Sequence, residues 1–168
     1  ADLRFVDAAA REVADLIQEG ARLVVVNKST VPVGSARHVE GIIRRRLEAR
    51  GVRAEVHVAS NPEFLAEGKA VHDTFYPDRI VIGADDPFAV GLLREMYQPI
   101  LEQTFEPPPG TPRPERYELP PLITTSATSA ELTKYAANAF LATKISFINE
   151  FSQLAEKVGA DITEVARA

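Results

Sequence analysis

Side chains that could bind water, move protons or stabilise negative charge fall in three short segments. The first, Val26–Gly34, holds the adjacent hydroxyls of Ser29 and Thr30 at the carboxyl end of the apolar run Leu23–Val26, which is typical of a strand buried on both faces. Because ligands of open parallel sheets lie outside the carboxyl ends of the strands, these hydroxyls are well placed to contact one. The same spacing is also explained if both hydroxyls only cap the next helix.

Two carboxylates, Glu63 and Glu67, lie in the second segment, Ser60–Gly68, just after another predicted strand. Asn61 followed by Pro62 is typical of a helix start, and a helical turn would place the two carboxylates on one face. If that face is desolvated, two like charges raise the proton affinity of at least one of them, which suits general acid–base chemistry. On a solvated face the pair would have no function.

The third segment, Glu131–Phe140, places Lys134 and Asn138 four residues apart, on one face of a helix that is otherwise apolar. Polar groups on such a helix need partners. An ammonium and an amide that point the same way form a donor pair for an oxyanion. Alternatively, the lysine extends to solvent at the helix edge and the asparagine bonds to a neighbouring loop.

Helices and strands alternate along the chain, which predicts an α/β fold with a parallel sheet covered by helices. Apolar spacing predicts helices at 2–19, 35–50, 87–103 and 129–158, and strands at 23–26, 53–59, 79–83 and 122–124. The helix at 129–158 is apolar nearly all round, so we expect it to be buried on most sides. Eight of the twelve prolines lie at 99–121 and favour a linker or a long surface loop there.

The composition of the 168 residues excludes several classes of protein and site. A net charge of −5 disfavours nucleic-acid binding through a broad basic surface, and the lack of cysteine excludes disulfides and thiolate metal sites in this chain. The three histidines have no partner at metal-ligand spacing, and no apolar run is long enough to span a bilayer. We therefore expect an intracellular protein without a metal, a nucleic-acid partner or a membrane span.

Four motifs, in the same order along the chain, closely resemble the nucleotide-sugar dehydrogenases. They are Lys28–Gly34, Asn61–Gly68, Pro77–Gly83 and Glu131–Glu150. Within that family the alanine-rich part, Lys134–Asn149, is most similar to the enzymes that act on UDP-glucose. The enzymes for GDP-mannose and UDP-N-acetylmannosamine are the near alternatives.

The resemblance implies the C-terminal half of a Rossmann-like parallel sheet followed by a long helix of an all-α central domain. Residues 1–103 would belong to the NAD-binding domain, 104–121 to a proline-rich linker or insertion, and 122–168 to a last short strand and the start of the central dimerisation domain. The implied activity is the four-electron, NAD-dependent oxidation of UDP-glucose to UDP-glucuronate, through an aldehyde and a cysteine thioester. A non-catalytic binding or assembly fragment, and a hydroxyacid dehydrogenase of similar domain plan, are the other readings.

The resemblance also implies roles for the hydroxyl and carboxylate residues. Thr30 matches a threonine that holds a catalytic water near the nicotinamide, and Ser29 beside it is a second expected contact with NAD. Glu67 matches a glutamate that shares this water and contacts both cofactor and substrate. Glu63 matches an acidic residue at the reacting C6 end of the substrate.

The remaining candidate residues would contact the nucleotide sugar. Lys134 and Asn138 match the pair that stabilises negative charge on the C6 oxygen, in agreement with the oxyanion pair inferred from their spacing. Phe64 and Leu65, between the two glutamates, would line the substrate pocket. No metal ligand is implied.

The same resemblance predicts that the chain is an internal part of an enzyme. The family's glycine-rich turn is expected before residue 1, and its nucleophilic cysteine after residue 168. The chain alone is therefore expected to be unable to complete the oxidation. We further expect a cytoplasmic homodimer that associates through 129–158.

Overall fold

The computed structural model describes residues 2–168 as alternating helices and strands followed by a long helix. The helices are α1 Arg4–Leu16, α2 Ser35–Arg50, α3 Ala70–Phe75, α4 Pro87–Glu102, α5 Ala127–Val158 and α6 Ile162–Arg167, and the strands are β1 Arg22–Asn27, β2 Glu55–Ser60, β3 Ile80–Gly83 and β4 Leu122–Thr125. The predicted bounds of α2 are confirmed, whereas α3 was not predicted. The described residues up to Lys134 form one compact unit, and Tyr135–Ala168 form a second.

The four strands form one sheet in the order β1-β2-β3-β4. β1 pairs with β2 in parallel, and β3 pairs with β4 in parallel, which confirms the predicted α/β class. The sheet is mostly parallel, with one exception at its centre, where Ser60 of β2 meets Gly83 of β3 in an antiparallel bridge. The connection between these strands contains only the six-residue α3, none of whose residues is buried, so it lacks the covering helix of a parallel crossover.

Helices cover both faces of the sheet in the first unit. On one face α1 and α2 pack together over β1 and β2, with Ala14 and Ile43 at the centre of the cluster. On the other face Leu93 of α4 packs against Ile82 of β3. α1 turns Ala10 and Ala14 inward, which leaves Leu16 80% exposed.

The start of α5 lies unusually close to the end of β3. A Cβ atom added to Gly83 would lie 2.4 Å from the Cβ of Ala130 and 2.9 Å from the Cα of Ala127. Only glycine leaves room for this approach. The contact fixes the first turns of α5 beside the carboxyl ends of β2 and β3.

The proline-rich segment 104–121 contains no helix or strand, yet it is attached firmly to the first unit. The Tyr117 hydroxyl donates to the carbonyl of Pro77 (2.8 Å), and the Tyr76 hydroxyl donates to the carbonyl of Thr111 (3.0 Å). The rings of Tyr76 and Tyr117 meet edge to face at 5.5 Å. Burial raises the pKa of Tyr117 to about 12. The segment is therefore a packed surface loop rather than a free linker.

The second unit consists of α5 from Tyr135 onward and α6. α6 begins after Asp161, whose side chain accepts a hydrogen bond from the backbone N–H of Thr163. The large apolar side chains of this part of α5 are exposed rather than buried; they include Phe140, Leu141, Ile145, Phe147, Phe151, Leu154 and Val158. Among residues 2–168, no helix is long and apolar enough to cross a membrane.

Candidate active site

An ion pair between a buried lysine and a partly exposed glutamate joins the second and third candidate segments. The ammonium of Lys134 lies 2.8 Å from the carboxylate of Glu63 and donates to the backbone carbonyl of Glu63 at 2.6 Å. Lys134 is only 8% exposed, so its charge is well shielded from solvent. The seating of α5 against Gly83 brings this lysine to the segment that follows β2. The need for a partner on an apolar helix is thus met by a carboxylate.

The ionisation of Glu63 differs from what the sequence suggests. A hydrogen bond from Lys134, and after it one from the backbone N–H of Leu65, holds the pKa of Glu63 below its usual value. The expected raised proton affinity from a pair of like charges is therefore wrong. Glu63 is an ionised partner of Lys134.

The predicted helical turn after Asn61 is also wrong, so the two glutamates do not share a helix face. Residues 61–66 have no helical structure, and Glu67 lies exposed in a turn before α3. The buried side chain of Asn61 explains this, because its amide donates to the carbonyl of Val81 (2.8 Å) and its oxygen accepts from the Tyr97 hydroxyl (2.5 Å). These bonds hold the chain alongside β3. Glu67 forms no hydrogen bond or ion pair with any residue that the structure describes.

The hydroxyls of Ser29 and Thr30 follow β1 and are exposed. They do not cap α2: its N-cap position is Gly34, which has a φ of 95° and no side-chain cap of its own. Neither hydroxyl forms a hydrogen bond within residues 2–168. Both are therefore available to a ligand.

A narrow cleft joins these hydroxyls to Lys134. Its volume of about 10 Å³ is close to that needed for one water molecule. The cleft is lined by Asn27, Ser29, Thr30, Val31, Ser60, Pro62, Glu131 and Lys134. The side-chain nitrogen of Asn27 is buried without a hydrogen-bond partner among the described residues, so the cleft holds an unused donor.

A larger cavity, of about 350 Å³, lies on the other side of Glu63. Phe64 and Leu65 both line it, and the guanidinium of Arg79 stacks 4.1 Å from the centre of the Phe64 ring. Lys28 also lines this cavity, where its ammonium donates to the carbonyl of Asn61 at 3.3 Å. Partial burial, more than any nearby charge, lowers the pKa of Lys28.

The structure thus brings together Thr30, Glu63 and Lys134, with Phe64 beside them, but leaves Glu67 exposed. Asn138 belongs to the second compact unit, and its role beside Lys134 stays a prediction. No group of three or more potential metal ligands occurs in the part of the chain that the structure describes.

Sequence reasoning assigned no role to three polar residues of this region. Glu131 was treated only as the start of a segment, although a carboxylate in the first turns of an apolar helix signals a buried partner. Asn27 ends a strand of valines, which is itself a signal, since a polar residue there faces the ligand edge of the sheet. Asn61 was read as a helix start, and its pairing with Tyr97 has no local signal, because 36 positions separate them.

Comparison with protein families gives two matches. Residues 1–101 match the NAD binding domain of the UDP-glucose/GDP-mannose dehydrogenase family, and residues 128–168 match the central domain of the same family. Relatives include a UDP-glucose 6-dehydrogenase of Rhizobium meliloti, 49% identical over 99% of this chain and 34% of that protein. A UDP-glucose 6-dehydrogenase of Pseudomonas aeruginosa is 46% identical over 99% of this chain and 33% of that protein. The chain thus spans about a third of the length of these relatives.

Solved structures show the same likeness. A UDP-glucose dehydrogenase from the archaeon Pyrobaculum islandicum superimposes with a TM-score of 0.77 at 42% identity, over 98% of this chain and 34% of that one. A GDP-mannose dehydrogenase from Pseudomonas aeruginosa, solved as a ternary complex, superimposes with a TM-score of 0.78 at 31% identity, over 99% of this chain and 34% of that one.

Proposed function

The chain belongs to the UDP-glucose/GDP-mannose dehydrogenase family, and we propose that it forms one wall of an active site that oxidises the C6 alcohol of UDP-glucose with NAD. The observation that carries the proposal is the ion pair of the buried Lys134 with Glu63 at 2.8 Å, beside a cleft lined by Thr30. UDP-glucose is favoured over GDP-mannose because the compared UDP-glucose dehydrogenases are 42–49% identical to this chain, against 31% for the GDP-mannose enzyme.

The residues at the carboxyl edge of β1 fit NAD, the cofactor of this family's N-terminal domain. Ser29 and Thr30 offer two unbonded, exposed hydroxyls, and Asn27 offers a buried amide nitrogen without a partner among the described residues. Bound NAD accepts hydride, so that one CH₂OH group, two NAD⁺ and one water yield one carboxylate, two NADH and three protons. Ser29, Thr30 and Glu67 are the residues proposed to contact it.

Lys134 is the residue best suited to stabilise negative charge on the C6 oxygen. Its ammonium is shielded from water and held at both an oxygen of the Glu63 carboxylate and the Glu63 carbonyl, so it is oriented before substrate arrives. Such preorganised donors in a water-poor site stabilise an oxyanion strongly. Asn138 is proposed as the second donor, and Glu63 as the acidic residue at the C6 end of the sugar.

Thr30 is proposed to hold the water that the second oxidation consumes. The cleft that it shares with Lys134 has room for about one water molecule. Glu67 is proposed to share that water as a base, which its exposed position leaves open to a ligand. Phe64 and Leu65 are proposed to contact the sugar nucleotide from the larger cavity.

A lysine substitution with a matched control tests the proposal. In the intact protein that carries this sequence, Lys134→Met should lower the rate of UDP-glucose-dependent NADH formation by roughly 10²–10³-fold, the usual effect of removing an oxyanion donor. Arg45→Met, which removes a cation at an exposed position on α2, should leave the rate within about twofold, as surface substitutions do. GDP-mannose and UDP-N-acetylmannosamine should be poorer substrates. Full activity of Lys134→Met would overturn the assignment.

The chain alone is proposed to be unable to sustain the complete oxidation. It contains no cysteine, so it cannot itself supply the thiol of a thioester intermediate. The 168-residue chain mixed with NAD and UDP-glucose should therefore form no NADH over many turnovers. Steady NADH formation would show that the chemistry does not need a thiol.

We also infer that the intact protein is a homodimer that associates through 129–158. The support is the run of exposed apolar side chains on α5, which includes Phe140 at 67% exposure. The double variant Phe140→Glu, Ile145→Glu should be monomeric by light scattering, whereas Gln153→Glu, which adds charge at a polar exposed site, should stay dimeric. A monomeric wild-type protein would contradict the inference.

A further inference from the structure

Glu131 is a buried carboxylate to which the proposed function gives no role. It lies in the second turn of α5 and is only 4% exposed. Buried carboxylates are costly unless hydrogen bonds satisfy them. The hydrogen bonds of its carboxylate therefore indicate the role of Glu131.

Its carboxylate accepts three hydrogen bonds from two other parts of the fold. One oxygen accepts from the backbone N–H of Gly34 at 2.5 Å. The other accepts from the backbone N–H of Ala36 at 2.8 Å and from the Ser60 hydroxyl at 3.1 Å. All three donors lie more than 70 positions from Glu131 along the chain.

Two of these bonds do the work of a helix cap. The N-cap position of the 16-residue α2 is Gly34, which supplies no side-chain acceptor. The first N–H groups of a helix have no partner within it, and they carry partial positive charge. The carboxylate of Glu131, in α5, supplies both an acceptor for these N–H groups and a negative charge beside them. The same bonds fix the positions of α2 and of the loop before it relative to the first two turns of α5.

Glu131 and the residues that it bonds to lie within or beside the three segments of the proposed site. Gly34 ends the segment that carries Ser29 and Thr30, and Ser60 begins the segment with Glu63. Lys134 follows Glu131 by three positions, and three positions on a helix place side chains on neighbouring parts of one face. The Glu131 carboxylate therefore links the backbone segments that carry Thr30, Glu63 and Lys134.

We propose that Glu131 is a positioning residue for the oxidation: it holds the Thr30 loop and the Glu63 segment in register with Lys134. This rests on the proposed function, because it assigns Glu131 to the same site. Glutamine replaces one of the two oxygens with an NH₂ group, and because each oxygen accepts a bond from a backbone N–H, at least one bond is lost. Aspartate is one methylene shorter and does not reach both partners. The role thus requires glutamate.

The test compares Glu131→Gln and Glu131→Asp with wild type in the intact protein, at saturating NAD and UDP-glucose. We expect kcat to fall at least about tenfold in both variants, since small misplacements of catalytic groups are costly. KM for UDP-glucose should change less than about threefold, because Glu131 does not line the larger cavity beside Phe64.

A matched control separates positioning from loss of stability. Leu47, buried near the opposite end of α2, can be changed to alanine to destabilise the same helix far from the site. At a temperature where each protein is folded, Leu47→Ala should keep wild-type kcat. If Leu47→Ala loses as much kcat as Glu131→Gln, Glu131 acts only through general stability and the inference is wrong.

A milder variant decides the matter if Glu131→Gln does not fold. Ser60→Ala removes one of the three hydrogen bonds, and its kcat should fall by about two- to fivefold with little change in KM. Unchanged kcat in Ser60→Ala and in any folded Glu131 variant would overturn the inference while leaving the proposed function intact. A wild-type protein that does not oxidise UDP-glucose would overturn both.

Discussion

The first two turns of α5 and the rest of that helix place polar and apolar side chains in opposite ways. Between Ala127 and Lys134 the buried residues include the charged Glu131 and Lys134, together with Ala130. Beyond Tyr135 the charged residues are exposed, and so are large apolar ones such as Phe140. One continuous helix therefore has two different environments.

The difference shows what each part needs. The buried charges of the first turns have partners within the described residues, so their burial is compensated. The exposed apolar side chains that follow have no such compensation, and a surface of this kind is typical of an interface. Substitutions in the first part should therefore change the free energy of unfolding as substitutions in a protein core do. Substitutions in the second part should change it as little as surface substitutions do.

Within the two parts of α5 and their contacts, the largest effect is expected from Gly83→Ala, which pushes the first turn of α5 away from β3. The new methyl group would lie 2.4 Å from the Cβ of Ala130, and overpacking of this kind costs about 1–3 kcal/mol. Urea unfolding of the chain measures this loss of stability. Gly91→Ala, in α4 with no atom within 4 Å of the added methyl group, is the matched control and should be neutral or stabilising. A stable Gly83→Ala variant would mean that α5 does not lie against β3.

A smaller effect should follow from the pair of Glu63 and Lys134, and it should depend on pH. Because the pKa of Glu63 is lowered in the folded chain, the pair contributes stability above the usual glutamate pKa. That contribution, at most about 1 kcal/mol for a partly exposed pair, is lost as the pH falls through the lowered pKa. Glu63→Gln should be less stable than wild type at pH 7, and the difference should shrink towards pH 3. A pH-independent difference would contradict the ion pair.

Substitution of an exposed apolar residue in the second part should change stability less. Phe140→Ser is expected to alter the free energy of unfolding of the chain by less than about 0.5 kcal/mol, as is usual at surface positions. Leu93→Ala, in the core beneath α4, should cost about 2–5 kcal/mol by the same measurement. A large loss in Phe140→Ser would show that this part of α5 packs within the chain.

The smallest effect on stability is expected for Glu67→Gln. Glu67 is exposed and bonds to no described residue, so the midpoint of thermal unfolding should stay within about 1 °C of wild type. In the intact protein the same change should still lower kcat, if Glu67 acts on the water. Unchanged kcat would remove Glu67 from the catalytic set while leaving the structure as described.

Several features follow from local signals and were predictable. α2 runs from Ser35 to Arg50 as expected, because its apolar spacing and Gly51 act within the helix itself. α4 begins at Pro87 as expected, because the Asp86 side chain caps the backbone N–H of Phe88.

Other features depend on residues that are distant in sequence and were not predictable. The cap of α2 comes from Glu131, and Asn61 is held beside β3 by Val81 and Tyr97. These bonds replace the helical turn expected after Asn61. Glu63 and Glu67 therefore do not lie on one helix face. The antiparallel junction of β2 and β3 follows from the same extended path.

From residue types and their order alone came the α/β class, the three chemically competent segments and their likeness to the nucleotide-sugar dehydrogenases. Periodicity and capping act over a few residues, so they can be read along the chain. The folded molecule alone decided that Glu63 pairs with Lys134 rather than with Glu67, and that Glu131 joins the segments. Those contacts form because the first turn of α5 packs against Gly83. They join residues that are distant in sequence, so no local sequence pattern predicts them.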